Sequence, residues 1–400
     1  MNDIEYNRIL GDFVDPRKRL VLHLVFERAW NDSRIDKLTQ SLHKFGFQNI
    51  VIAIWVSGIK HLEIARNALI FRVKLPFFEK RGLMMFLSAY AVYCLRCITL
   101  IAELKAQVVH CHNLETSIPV LLLKLIKPNL KYIYDSHELH TETNMAKKRS
   151  RLLRGMSAVI EKKFATGASS VIQTTQGRAS LFKKKYGVRA EIISNYPSVS
   201  YLKNVSVSKK NTVRDEFCIS PQTKILLYVG SVLEERGLET ICSIIREDSK
   251  LVFVVLGKAV AWGKVLVKEM AHFSNFYYHP PIESSQVISF IRGADCGVCL
   301  IEDSCLSYHY SKPTKLFEYI YAGIPVLGSP LPEIKSVINN DGYPLGEIAE
   351  PRNIQEVRNA IYSIFSKSYP ADFFERVRSK YSWENQEDKI RGIYRKAFGE

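Results

Sequence analysis

The sequence predicts an α/β protein built from two doubly wound units, each a largely parallel sheet with helices on both faces and a cleft between the two. Three observations carry that expectation. Short, near-continuous apolar runs rich in β-branched residues alternate with longer helical stretches along the whole chain, the pattern of parallel strands buried on both faces. A polar interval interrupts the alternation near its middle, after which it restarts. The chain has 400 residues, enough for two such cores.

In order, the first half offers the strands RLVLHLVF (19–26), NIVIAIW (49–55), QVVHCH (107–112), LKYIYDS (130–136), SSVIQT (169–174) and AEIIS (190–194). The interval SNYPSVSYLKNVSVSKKNTVRD (194–215) lacks apolar periodicity and reads as a connection. The second half continues with TKILLYVGS (223–231), KLVFVVLG (250–257), NFYYHP (275–280), CGVCLI (296–301) and IPVLGS (324–329). The expected division is a first domain over 1–195, a linker over 196–215, a second domain over 216–375 and a closing segment over 376–400. Ligands are expected at the carboxyl ends of the strands.

Composition narrows the function. With 47% hydrophobic and 24% charged residues, neither disorder nor a fibre is expected. The amino-terminal MNDIEYNRILGDFVDPRKR is polar, with no secretory leader pattern, so a cytoplasmic chain is expected. The net charge of +16 is unevenly spread: residues 1–200 hold 31 Lys+Arg against 16 Asp+Glu, residues 201–400 only 25 against 24. Clusters such as AKKRSRLLR (146–154), EKKF (161–164) and FKKKY (182–186) suit anionic phosphates of lipid headgroups or nucleic acid, or simply a solvated face. Neither an aromatic-interleaved RNA-recognition pattern nor a helix-turn-helix is found, which argues against nucleic acid as partner.

Eight cysteines sit mostly in apolar runs. The pairs Cys94/Cys97 and Cys296/Cys299 have zinc-ligand spacing, but they lack knuckle glycines and read better as small core residues. The stretch 82–104 has the length of a membrane span yet carries Arg96 near its middle. A hydrophobic helix packed in the first unit is expected there, with FRVKLPFFEKR (71–81) beside it as a bilayer-touching segment. The absence of G-x-G-x-x-G and of a P-loop argues against a dinucleotide dehydrogenase and a P-loop ATPase.

Several positions can carry chemistry. In YVGSVLEERGLETI (228–241) a strand ends at Gly230, Arg236 precedes Gly237, and a helix follows. Gly230 lets backbone approach a ligand, the helix start offers amides, and Arg236 can pair with a diphosphate, or be a surface arginine at a strand–turn–helix. In SKPTKLFEYIYAGIPVLGS (311–329) Pro313 opens a short helix and Gly323 closes it. Leu316, Phe317 and Ile320 share one face, Lys315, Glu318 and Ala322 the other. The polar pair is either a surface i,i+3 contact or, if turned to a ligand, a phosphate and a ribose contact. In the first half VVHCHNLET (108–116) and YIYDSHELH (132–140) end in polar residues, His137 among them.

The order HCHNLET, YDSHEL, SNYP, YVGSVLEERGLE, ADCGVCLI, PTKLFEYIYAGIPVLGS and YSWENQEDKIRGIY resembles the retaining family 4 glycosyltransferases (glycosyl transferases group 1) of the GT-B fold. That resemblance implies two facing Rossmann-like domains, the second for a nucleotide-sugar donor and the first for the acceptor. It implies that Arg236 holds the diphosphate with Lys315 and the amides after Pro313, and that Glu318 binds ribose. Gly230, Ser231, Gly257, Thr314 and Leu316 would complete the donor site, and His137 would orient substrate near the transferring sugar. His112, Asn113 and Glu138 would lie on the acceptor side, and the closing helix around Trp383 would cross back to the first domain. Tyr310 stands where relatives carry the first of two paired glutamates, Ser231 where many carry arginine, and HLVFERAWNDSR (23–34) lacks their glycine-rich loop.

The expectation that follows is a hexosyltransferase working with retention, with neither cofactor nor metal: no Asp-x-Asp motif occurs, and Arg236 with Lys315 can neutralise the leaving diphosphate. The basic first half suggests an anionic inner-leaflet surface and a polyprenyl-linked or other saccharide acceptor in cell-surface polysaccharide synthesis. The alternative is a non-catalytic partner subunit that binds a nucleotide sugar, which Tyr310 makes plausible.

Overall fold

The strands of the computed structural model gather into two sheets, one for each half of the sequence pattern; it describes residues 11, 13–27, 32–65, 67–76, 82–199 and 212–400. One unit comprises Met1–Ile193 with Gln386–Glu400, the other Ser194–Asn385. Residues 376–385, expected with the closing segment, thus fold with the second unit, and most of the expected linker, 200–211, lies outside the described residues.

In the first unit the strands are β1 (Leu20–Val25), β2 (Gln48–Ile54), β3 (Leu62–Ala65), β4 (Ala68–Val73), β5 (Val108–His112), β6 (Lys131–Ser136), β7 (Ser170–Gln173) and β8 (Glu191–Ile192). Their order is β3-β4-β2-β1-β5-β6-β7-β8, with only the β3–β4 pair antiparallel. The chain winds outward from β1 and then returns to place β5 on its other side. That reversal opens a crevice at the carboxyl ends of β1 and β5.

Period-two alternation sorts the side chains of this sheet. Leu20, Leu22, Leu24, Val109, Cys111, Tyr132 and Tyr134 join one core, covered by the helices Leu83–Glu103, Ser117–Ile126, Arg151–Thr166 and Gln176–Tyr186. The opposite face carries His23, His110, His112 and Asp135, beneath Ser33–Lys44 and the closing helix Glu387–Phe398. Trp383, expected in the crossing helix, instead sits buried in the second unit and donates its amide to the Pro197 carbonyl at 3.0 Å.

The second unit holds β9 (Lys224–Val229), β10 (Leu251–Leu256), β11 (Phe276–His279), β12 (Cys296–Cys299), β13 (Val326–Gly328) and β14 (Gly346–Ile348). All run parallel, in the order β11-β10-β9-β12-β13-β14. This is the doubly wound dinucleotide-type order, with its switch point between β9 and β12.

All eight cysteines are free thiols, and only Cys218 is exposed. Each C-x-x-C pair lies in the apolar interior of its own unit, in keeping with the core reading. Leu83–Glu103 is long and apolar enough to cross a membrane, yet Ala89, Tyr93, Cys94, Cys97, Leu100 and Ile101 are packed into the first unit. Of the stretch 71–81, residues 77–81 lie outside the described residues.

Candidate functional site

At the switch point of the second unit β9 gives way to Gly230 (φ 125°), and β10 to Gly257 (φ 148°). A Cβ on Gly257 would stand 1.9 Å from the Gly230 carbonyl oxygen, so only glycine lets these two strand ends approach. Over Gly230 lies the Lys315 side chain, whose Nζ would be 3.4 Å from a Cβ placed there. The same ammonium stands 3.6 Å from the centroid of the Tyr228 ring. The Tyr228 hydroxyl is itself fixed, donating to the carbonyl of exposed Ser231 at 2.7 Å.

Arg236 sits between two left-handed residues, Glu235 (φ 64°) and Gly237 (φ 67°). Its guanidinium lies 4.3 Å over the Tyr308 ring, and its Nη1 is buried without a hydrogen-bond partner. A buried donor left open in this way costs about 1–3 kcal/mol, and an incoming anion would satisfy it. Burial pushes the Cys299 thiol, at the end of β12, up to about 11, while Lys315 and Arg236 pull it back. Both cations therefore bear on the carboxyl end of β12. Gly237 starts the helix Leu238–Glu247 and Pro313 precedes Thr314–Ala322; neither helix has a side-chain cap, so their first turns are open to an anion.

The helix Thr314–Ala322 buries Leu316, Phe317 and Ile320, and Tyr319 and Tyr321 besides. Lys315 and Glu318 are partly exposed. Pro313 is extended (ψ 145°) and caps the helix rather than opening its first turn, and Gly323 (φ 81°) closes it. Leu316 is fully buried in the core, and its amide already donates to the Pro313 carbonyl at 3.2 Å. Thr314 Oγ1 accepts from Asn195 Nδ2 at 3.2 Å. Tyr310 stacks edge-on against His309, which bonds to Asp303 at 2.8 Å.

The first unit presents a second constellation at its own switch point. A small, solvent-open pocket is lined by Val25, Phe26, Glu27, Asp32, His112, Asn113, Glu115 and His137. Asn113 (φ 66°) accepts the His137 amide on Oδ1 at 3.0 Å and donates its own amide to the Asp135 carbonyl at 2.9 Å. Those bonds tie the end of β5 to the turn after β6. Glu138 is exposed and is not among the lining residues; its carbonyl accepts from Ser136 Oγ.

Behind His137 runs a chain of imidazoles. His137 Nε2 lies 3.2 Å from His112 Nδ1, His112 Nε2 3.3 Å from His23 Nδ1, and His23 Nε2 3.2 Å from Asn49 Oδ1. Asp135 anchors the group: Arg34 donates to both its carboxylate oxygens at 2.8 and 2.9 Å, while His110 and His137 approach at 3.4 and 3.5 Å. Burial pulls His23 down to about 3 and holds His110 and His112 below the ordinary range, so these rings are neutral. Burial opposes ionisation of Asp135, but Arg34, His137 and the His110 bond outweigh it and keep the carboxylate charged. Burial, and then Asp32, push the Glu27 carboxyl up.

His110, His112 and Asp135 bring potential metal-ligand atoms within 4.8 Å of one another. A cation there would face the Arg34 guanidinium already paired with the same carboxylate. His23, Arg34, Glu27 and Tyr394 were not anticipated from the sequence. The usable signal was polar residues two apart in otherwise apolar strands, as in VVHCH, which places His110 and His112 on one face.

Residues 209–380 match the family described as Glycosyl transferases group 1. No curated protein matches the sequence. Among solved structures, sucrose-phosphate synthase from Thermosynechococcus elongatus superposes with a TM-score of 0.77 at 14% identity, covering 95% of this chain and 99% of that one. A glycosyltransferase from Rickettsia africae gives 0.69 at 13% identity over 96% and 99%. HepE from Anabaena, solved with UDP-glucose, gives 0.69 at 10% identity over 94% and 99%. The fold is therefore GT-B, two Rossmann-like units in one chain.

Proposed function

We propose that the protein transfers a sugar from a nucleotide-sugar donor to a saccharide or lipid-linked saccharide acceptor, with retention at the anomeric carbon. The observation that carries the reading is the pair of cations at the second unit's switch point, Lys315 over Gly230 and Arg236 with its open Nη1. Two fixed positive charges beside glycine strand ends and open helix starts suit a diphosphate. The match of residues 209–380 to Glycosyl transferases group 1 and the UDP-glucose bound to HepE support the same assignment.

In this reading Arg236 and Lys315 hold the diphosphate and stabilise its charge as the glycosidic bond breaks, without a metal or a further cofactor. Glu318 accepts from ribose, and Gly230 and Gly257 give the backbone room. The acceptor hydroxyl attacks from the face the diphosphate leaves, and its proton passes to the departing phosphate oxygen. His137, oriented by Asp135 and Asn113, serves the sugar side. Acceptor choice falls to the first unit, where His112, Asn113 and Glu27 line the pocket.

A thermal-shift screen of purified protein against nucleotide sugars tests the proposal, since a ligand that binds only the folded state raises apparent stability. A shift with one donor, lost in Arg236→Ala, is the expected result. No shift with any donor at millimolar concentration would sink it.

A further inference from the structure

We infer that one side of the first unit, the outer surface of the helices Leu83–Glu103, Ser117–Ile126 and Arg151–Thr166, docks on an anionic lipid bilayer. This rests on the geometry of that face and not on the donor-site reading. The three helices cover the same sheet face, each turning an inner stripe into the same core. Their outer surfaces therefore form one side of the unit.

That side is apolar where a solvated surface should be polar. On the middle helix Leu125 and Ile126 are each 78% exposed; beside it Leu152 is 73% exposed, and Met84 on the first helix 80%. Met156 and Val159 continue the Leu152 row at helical spacing and are also exposed. Apolar exposure of this extent on neighbouring helices marks an interaction surface.

Charge selects the occupant. The apolar rows are interleaved with Arg96, Lys127, Arg149, Arg151, Arg154, Lys162 and Lys163, none of which has an ion-pair partner among the described residues. Glu161, the one carboxylate within Arg151–Thr166, is turned inward and accepts from Tyr134 and Tyr186. A protein partner of average composition has no reason to meet so one-sided a charge. Anionic headgroups over an acyl layer supply both halves of the match: phosphates for the cations and hydrocarbon for the leucine and methionine rows.

The test floats full-length protein with phosphatidylcholine vesicles containing or lacking phosphatidylglycerol, at low and high salt. The parent is expected to float with the anionic vesicles and to be released by salt. Leu125→Asp/Ile126→Asp should lower the bound fraction about tenfold or more, and Arg151→Glu/Arg154→Glu about tenfold. Val265→Asp, an exposed apolar position of the second unit, should float like the parent. Leu125, Ile126, Arg151 and Val265 are exposed and Arg154 partly so, and unchanged thermal melts check that folding is intact. Equal flotation with neutral vesicles, no flotation, or variants that float like the parent would overturn the inference. So would dimerisation in lipid-free buffer that Leu125→Asp/Ile126→Asp abolishes, which would give the face to a second copy of the chain.

Discussion

The hydroxyl of Tyr394 and Nδ1 of His110 lie 2.6 Å apart, both buried, although 284 residues separate them in the chain. Tyr394 belongs to the closing helix and His110 to β5, so the last residues of the chain roof the polar face of the first sheet. Tyr394→Phe keeps the ring and removes the hydroxyl, leaving a buried nitrogen without its partner. A loss of about 1–3 kcal/mol is expected in urea unfolding followed by a probe in the first unit. An unchanged midpoint would show that the bond contributes nothing.

The neutral imidazoles make the first unit sensitive to acid. A histidine whose folded value is depressed contributes stability that is complete above its unfolded value and is lost as pH falls below it. For His23, falling from 6.5 to about 3 on folding, the loss between pH 7 and pH 5 is about 2 kcal/mol. His110 and His112 act in the same direction. The melting temperature should therefore drop as pH goes from 7 to 5, and His23→Gln should flatten that dependence. Asp135 adds a further loss only below its unfolded value of 3.8.

Removing either cation of the second unit should act on turnover more than on folding. Arg236→Ala and Lys315→Met are each expected to slow release of nucleoside diphosphate by about 10²–10³-fold, the usual scale for a lost charge-stabilising donor. Circular dichroism melts should be nearly unchanged, because Arg236 Nη1 satisfies no protein acceptor. Wild-type turnover in Arg236→Ala would remove it from the chemistry.

Gly257→Ala tests the backbone crossing at the strand ends. Its new methyl would overlap the Gly230 carbonyl, and the residue would have to hold φ 148° besides. The expected outcome is a destabilisation of about 3 kcal/mol or more, or no soluble protein. Gly392→Ala, inside the helix Glu387–Phe398 with open space around it, is the control and should be neutral or stabilise by up to about 1 kcal/mol.

Thiol chemistry should count the cores. Cys218 alone is exposed, and burial raises the values of Cys97, Cys111 and Cys242, among others. One thiol should react quickly with an aromatic disulfide reagent in the native protein, and all eight after denaturation.

Much of this architecture was legible because parallel strands buried on both faces are written as unbroken apolar runs. All eleven strands read from the sequence form, each within a few residues of its expected ends. The strands missed are of another kind. β3 and β4 make a hairpin through Asn67 at φ 63°, at the sheet edge where alternation is weak, and β14 has three residues. The grouping of Lys315 and Arg236 at the second unit's switch point was legible because glycine and proline punctuate their segments. The buried histidine group was not: it is assembled by lateral strand pairing, His23 against His110 and Val25 against His112, and one strand's sequence says nothing of its neighbour's register. Arg34 and Tyr394 reach it from helices 360 residues apart, a proximity that no local pattern encodes.

The inserted layout of the chain bears on how it is made. During synthesis the eight-stranded sheet leaves the ribosome well before the helix that roofs it, Glu387–Phe398. The whole of Ser194–Asn385 is translated in between and can finish folding as a unit while the older half waits. Until Glu387–Phe398 has emerged, the histidines and Asp135 on that sheet face lack the cover that Tyr394 brings. A nascent chain stalled just short of Glu387 should therefore expose the first unit to protease while protecting the second.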